Sequence, residues 1–112
     1  VPRAVRSRKA PVGEDEVFRA LADANRRRIL LVLGGGEKRV ADIAAEFDVS
    51  RPAISKHLRV LLDAGLVRAR KEGRERYYAI VPDALRAASG YARDVADFWR
   101  EGLTRLDRAL RK

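Results

Sequence analysis

The sequence predicts a mainly α-helical domain with one small β-hairpin, in the order α-α-α-α-β-β-α, and three observations predict it. Apolar residues recur at helical spacing in five segments, the longest closing the chain. One stretch, residues 66–80, switches to strand-like alternation on both sides of Gly73. The length of 112 residues with 46% hydrophobic content suits one domain that can bury a core.

Residues 1–13 are expected to be a disordered basic arm or an expression remnant. They begin with Val rather than Met, carry Arg3, Arg6, Arg8 and Lys9 with no acid before Glu14, and show no periodicity. The folded domain is then residues 14–112. Its first helix carries Val17, Phe18 and Leu21, with Glu14, Asp15 and Glu16 at the positive end of the helix dipole. Asp23 is placed to cap a second helix, whose apolar face is Ile29, Leu30 and Leu33 and whose stop is Gly34-Gly35-Gly36. Arg26, Arg27 and Arg28 lie in its first turns, either solvated or paired, or touching phosphate.

Val40, Ile43, Ala44 and Phe47 fall at i, i+3, i+4 and i+7, the pattern of a short third helix buried on one face. Ser50 and Pro52 open a fourth, with Ile54, Leu58, Leu61 and Leu62 inward and Ala64-Gly65 at its end. Two such helices joined by about three or four residues read as a helix-turn-helix. On a helical wheel Pro52, Ser55, Lys56 and Arg59 oppose the apolar stripe. Residues 66–70 and 76–80 then flank Lys71–Glu75 as a hairpin, with Val67, Ala69, Tyr78 and Ile80 able to face the core. Pro82 begins a last helix, 82–110, whose stripe of Leu85, Ala88, Ala92, Val95, Trp99, Leu103, Leu106 and Leu110, with Phe98 beside it, exceeds what so small a body can cover. A second copy of the chain is the expected partner for this stripe.

Charge and composition narrow the function. The formal net charge is +9, and residues 50–80 hold eight of the basic residues against Asp63, Glu72 and Glu75. That concentration suggests a face for a polyanion, although a solvated surface would also be basic. With no cysteine and one histidine, disulfide scaffolds, zinc ribbons, iron–sulfur sites and thiol nucleophiles are excluded, and no metal or cofactor is expected. No nucleophile–base pair or phosphate-cradling glycine loop is evident, so the chain is not expected to be an enzyme. No apolar run reaches the length of a membrane span, and no membrane partner is expected.

The segments Phe18–Asp23 and Asn25–Leu30, the run Val49–Leu61 with Ala64–Val67, and Gly73-Arg74-Glu75-Arg76-Tyr77-Tyr78 together resemble the ArsR/SmtB winged helix-turn-helix repressors over residues 14–110. The resemblance implies a cytoplasmic, homodimeric regulator of bacteria or archaea, associated with the nucleoid, that binds a double-stranded DNA operator and is dimerised through its first and last helices. Phe98-Trp99-Arg100 followed by Leu103 and Leu106 looks like a metal-independent branch often described as autorepressors. Where metal-sensing members carry a Cys-x-Cys pair, Arg39 and Ala41 stand here. The last helix has Asp94, Asp97 and Glu101 but no histidine.

Arg51, Pro52, Ser55 and Lys56 are the expected base contacts, and His57, Arg59, Arg74 and Arg76 the expected phosphate contacts. Val17, Leu21, Val95, Phe98, Trp99, Leu103, Leu106 and Leu110 are expected at the dimer interface. Three roles stay open for His57: a bond at the DNA boundary, partly buried packing, or, least favoured by its cationic and aliphatic neighbours, metal ligation. A winged helix docking on an acidic protein is the rival reading, and a small-molecule or protein effector is compatible with either.

Overall fold

The computed structural model describes residues 14–111, so the expected basic arm lies outside the described residues. Helix α1 (Glu14–Leu21) packs on the other helices, and α2 (Ala24–Leu33), α3 (Val40–Ala44) and α4 (Arg51–Asp63) also pack against a three-stranded antiparallel sheet. Its strands are β1 (Lys38–Arg39), β2 (Val67–Glu72) and β3 (Glu75–Ile80), in spatial order β1-β3-β2, and α5 (Pro82–Leu110) follows.

The helix boundaries follow from capping chemistry. The Asp23 carboxylate accepts the Arg26 backbone N–H at 3.1 Å, satisfying one of the orphan donors at the start of α2. Ser50 does the same for α4, its Oγ accepting from the Ala53 N–H at 3.2 Å, with Pro52 in the first turn. At the other end of α4, Gly65 takes φ +76°, a left-handed conformation that lets the chain leave the helix, and the Leu66 N–H then closes on the Leu61 carbonyl at 3.0 Å.

The core is one cluster. Ile29 of α2, Ile43 of α3, Ile54, Leu58 and Leu61 of α4, and Leu66 are fully enclosed, with Ala20, Leu30, Leu33, Phe47, Val67 and Tyr78 completing it. Each large aliphatic side chain removed from water in this way contributes about 1.5–3 kcal/mol. No polar or charged residue is buried among the described residues, so the core carries no desolvation penalty to offset.

Three expectations change. The sheet has a third strand, because Lys38 and Arg39 pair with Tyr78 and Tyr77. Two residues are too few to show alternation in a sequence. The hairpin is also longer than expected, with β2 and β3 in register from Val67↔Ile80 to Glu72↔Glu75 and only Gly73-Arg74 between them. Gly73, at φ +62°, permits that tight turn. Helix α3 ends at Ala44, so six residues rather than three or four connect it to α4. Phe47 is still buried, but from a turn, where the Arg28 guanidinium lies 4.6 Å over its ring and donates to the Glu46 carbonyl at 2.7 Å.

Helix α5 is built differently. Ala84 and Leu85 pack on the core, and Tyr91 meets Phe18 of α1 edge-to-face with ring centroids 5.1 Å apart. None of its 29 residues is buried. Val17 and Leu21, expected at a dimer interface, are half-buried against their own core.

Candidate nucleic-acid interface

Helix α4 turns one face inward through Ile54, Leu58 and Leu61, and this fixes what faces out. Arg51, Pro52, Ser55, Lys56 and Arg59 are all exposed. Among the described residues no hydrogen bond or ion pair engages the side chains of Arg51, Ser55 or Lys56. Arg59 is held 3.3 Å from Asp63, an exposed pair that water and salt screen and a phosphate can displace. The helix therefore presents one hydroxyl and two unpaired cations near its N-terminus, donors of the kind that read guanine edges and grip phosphates.

The hairpin adds a second cationic element. Arg74 occupies the turn, and Arg76 follows on β3; both are exposed, and among the described residues neither is in an ion pair. Arg70 differs. It donates to both carboxylate oxygens of Glu37, at 2.8 and 2.7 Å, and to Glu72 at 3.1 Å, and it lies 4.6 Å over the Tyr77 ring. The hydrogen bond from Arg70 holds the Glu37 carboxyl below its usual range, with the opposing effect of desolvation smaller. This fork couples the middle of the hairpin to the loop after α2. Sequence reasoning missed it, because nothing in the spacing of residues 37 and 70 marks them as partners.

The three consecutive arginines of α2 are occupied by backbone. Arg26 donates from Nε to the Ala20 carbonyl at 2.7 Å and from a terminal nitrogen to the Arg19 carbonyl at 3.1 Å. Arg27 donates to Leu21 at 2.7 Å and Arg28 to Glu46. They close the C-terminal carbonyls of α1 and hold the turn after α3, which are groups a helix end leaves unsatisfied. His57 belongs with them. Its side chain is only 19% exposed, and its Nδ1 lies 3.5 Å from an Arg26 nitrogen and 4.0 Å from the Asp23 carboxylate. The structure thus places His57 at the seam between α4 and α2, apart from the outward face formed by Arg51, Ser55 and Lys56.

Arg39 and Ala41 offer no metal donors. Arg39 is instead bound to Asp42 at 3.1 and 3.3 Å, and it stands at the N-cap of α3 without a capping side-chain bond. The Asp42 carboxyl is pulled below its usual range, chiefly by that bond. On α5, Asp97 pairs with Arg100 at 2.8 Å. Among the described residues no three His, Asp or Glu side chains converge as a metal site would require. Among the same residues no helix is long and apolar enough to cross a membrane.

With this geometry in view, comparison with known proteins gives a consistent result. Residues 23–69 match the family model described as bacterial regulatory protein, arsR family. The chain is 41% identical over 90 residues to the HTH-type transcriptional regulator Rv2034 of Mycobacterium tuberculosis, covering 80% of this chain and 81% of that protein. It is 39% identical over 66 residues to the transcriptional repressor SdpR of Bacillus subtilis, covering 59% of this chain and 73% of the repressor. Its fold superposes, with a TM-score of 0.64 and 36% identity, on the solution structure of the homodimeric winged helix-turn-helix DNA-binding domain Mb0332 of Mycobacterium bovis, covering 76% of this chain and 79% of that one. The α3–α4 pair, the β2–β3 hairpin as its wing and these similarities converge: the chain belongs to the ArsR family and is a DNA-binding transcriptional regulator of winged helix-turn-helix architecture.

Proposed function

We infer that the protein is a homodimeric repressor that binds a palindromic operator and responds to something other than a metal at the family's Cys-x-Cys position. The observation that carries the DNA mode is the outward face of α4: Arg51, Ser55 and Lys56 are exposed and unpaired on a helix whose opposite face is locked in the core. Two such helices enter successive major grooves, their centres about 34 Å apart. Arg51, Ser55 and Lys56 reach base edges beside Pro52, while Arg59, Arg74 and Arg76 neutralise phosphates.

The dimer reading rests on α5. Trp99 is 62% exposed, Leu103 60% and Leu110 75%, with Leu106 on the same stripe and Val95 and Phe98 half-covered. A soluble domain rarely leaves such a stripe in water, and an aromatic centre with an aliphatic margin suits an interface between copies. The homodimeric neighbour and the repressor relative support the same assembly and sign of regulation. The reading without metal rests on Arg39 and Ala41, whose side chains cannot ligate a soft cation.

Footprinting on the DNA upstream of its own gene tests this directly, repeated with added metals and with chelator. The expected result is a two-fold symmetric protected site insensitive to both. Release on adding metal would overturn the metal-independent reading, and an asymmetric single half-site would overturn the dimer.

A further inference from the structure

We propose that Arg26 is a positioning residue for DNA recognition, tying the end of α1 to the recognition helix through His57. Arg26 stands on α2, and its guanidinium reaches two other helices. Nε and one terminal nitrogen hold the Ala20 and Arg19 carbonyls that end α1, and the other terminal nitrogen faces His57 Nδ1 on α4 at 3.5 Å. Its own backbone N–H is fixed by Asp23, whose carboxylate lies 4.0 Å from the same His57 nitrogen.

The consequence is mechanical. His57 directly follows Lys56 and is two residues from Ser55, so its seam sits under the outward face of α4. Side chains that read base edges must be held within about 0.5 Å of their working geometry. The buried Ile54, Leu58 and Leu61 resist α4 moving away from the core, but apolar contacts are not directional and define its rotation poorly. The Arg26–His57 contact, anchored on α1, adds a directional restraint. Because α1 also packs against α5 through Phe18 and Tyr91, whatever docks on α5 is linked to the angle of α4 by this route.

Arg27 provides a control within the same turn, because it closes the Leu21 carbonyl of α1 and among the described residues makes no bond to α4. The proposal rests on the DNA-reading mode inferred for α4, and its test separates the two. Wild-type protein would select a duplex from a randomised library, and affinity for that duplex and for a random-sequence duplex would then be measured across salt concentrations. Arg26→Gln should lower affinity for the selected duplex about tenfold and change the random duplex less than about twofold, a range typical of positional coupling. The slope of log affinity against log salt should not change. Arg27→Gln should leave both affinities near wild type. In a His57→Ala background, Arg26→Gln should add less than about twofold, because the shared contact is already gone. Should Arg26→Gln fail to fold, Arg26→Lys carries the test, since an ammonium cannot span all three partners and should also lose discrimination.

Equal losses for Arg26→Gln and Arg27→Gln would reduce Arg26 to a helix cap and overturn the proposal. So would a slope lower by about one unit, the mark of a phosphate contact, or a full loss that persists without His57. Wild-type discrimination by Arg26→Lys would overturn it as well. A wild-type protein that selects no duplex would sink the DNA-reading mode and this proposal with it, whereas normal selection with an inert Arg26 would sink this proposal alone.

Discussion

Helices α4 and α5 are both amphipathic, yet their apolar faces meet opposite fates. In 13 residues α4 fully encloses Ile54, Leu58 and Leu61; in 29 residues α5 encloses nothing. The difference lies in what surrounds each helix, because both have a clear stripe. Helix α4 is wrapped by α1, α2, α3 and β2 of its own chain, whereas α5 touches the body only near its start and then runs out along a molecule 67 Å long. One helix belongs to the fold, and on the reading proposed above the other belongs to an assembly. Loss of an α4 core contact should therefore act on folding, and loss of an α5 contact on association.

The sharpest way to break this contrast is Leu58→Ala. It removes a fully enclosed side chain and should cost about 2–5 kcal/mol in thermal or denaturant unfolding. A cost under about 1 kcal/mol would mean that the α4 face is not sealed. Trp99→Ala is the matching change on α5. Sedimentation should show dimerisation weakened by about 2 kcal/mol, roughly 30-fold, while the spectroscopic signature of the folded body is kept. A dimer of unchanged strength would move the interface elsewhere.

Arg51→Ala addresses the outward face of α4. It should leave stability close to wild type and reduce discrimination among operator sequences by about 1–3 kcal/mol, read by competition binding. Uniform weakening across all sequences would make Arg51 a phosphate contact instead. The smallest effect concerns the α2 cap. The Arg26 backbone N–H bonded to Asp23, with a smaller contribution from nearby His57, holds this carboxyl below its usual range against desolvation. A depressed carboxylate contributes stability above its unfolded-state pKa and loses it as pH falls through the folded value. The stability gap between wild type and Asp23→Ala should therefore narrow as pH falls below the ordinary carboxylate range. A gap that stays constant through full titration of the carboxyl would show that the cap acts without its charge.

Much of the body is legible in the sequence. Ser50, Asp23 and Pro52 act locally, so their capping roles follow from type and position alone. The inward and outward faces of α4 follow from periodicity in the same way. The strand pairing of Lys38 and Arg39 was not legible, because a two-residue strand exists only through its partner. The role of the Arg26–Arg28 run was not legible either. A cation in a first helical turn reads the same whether it meets a carbonyl or a phosphate, and only the packing of α1 against α2 brings carbonyls within its reach.

The sequence by itself determined the helix-forming segments, their caps, the hairpin and the basic face, because each depends on residues within a few positions of one another or on composition. Tertiary structure decided which of the cations stay available. Arg26, Arg27, Arg28 and Arg70 are held by carbonyls and carboxylates contributed from six or more residues away, while among the described residues Arg51, Lys56, Arg74 and Arg76 pair with nothing. The physical reason is that charge is a property of a residue, but the partner that neutralises it is a property of the packing.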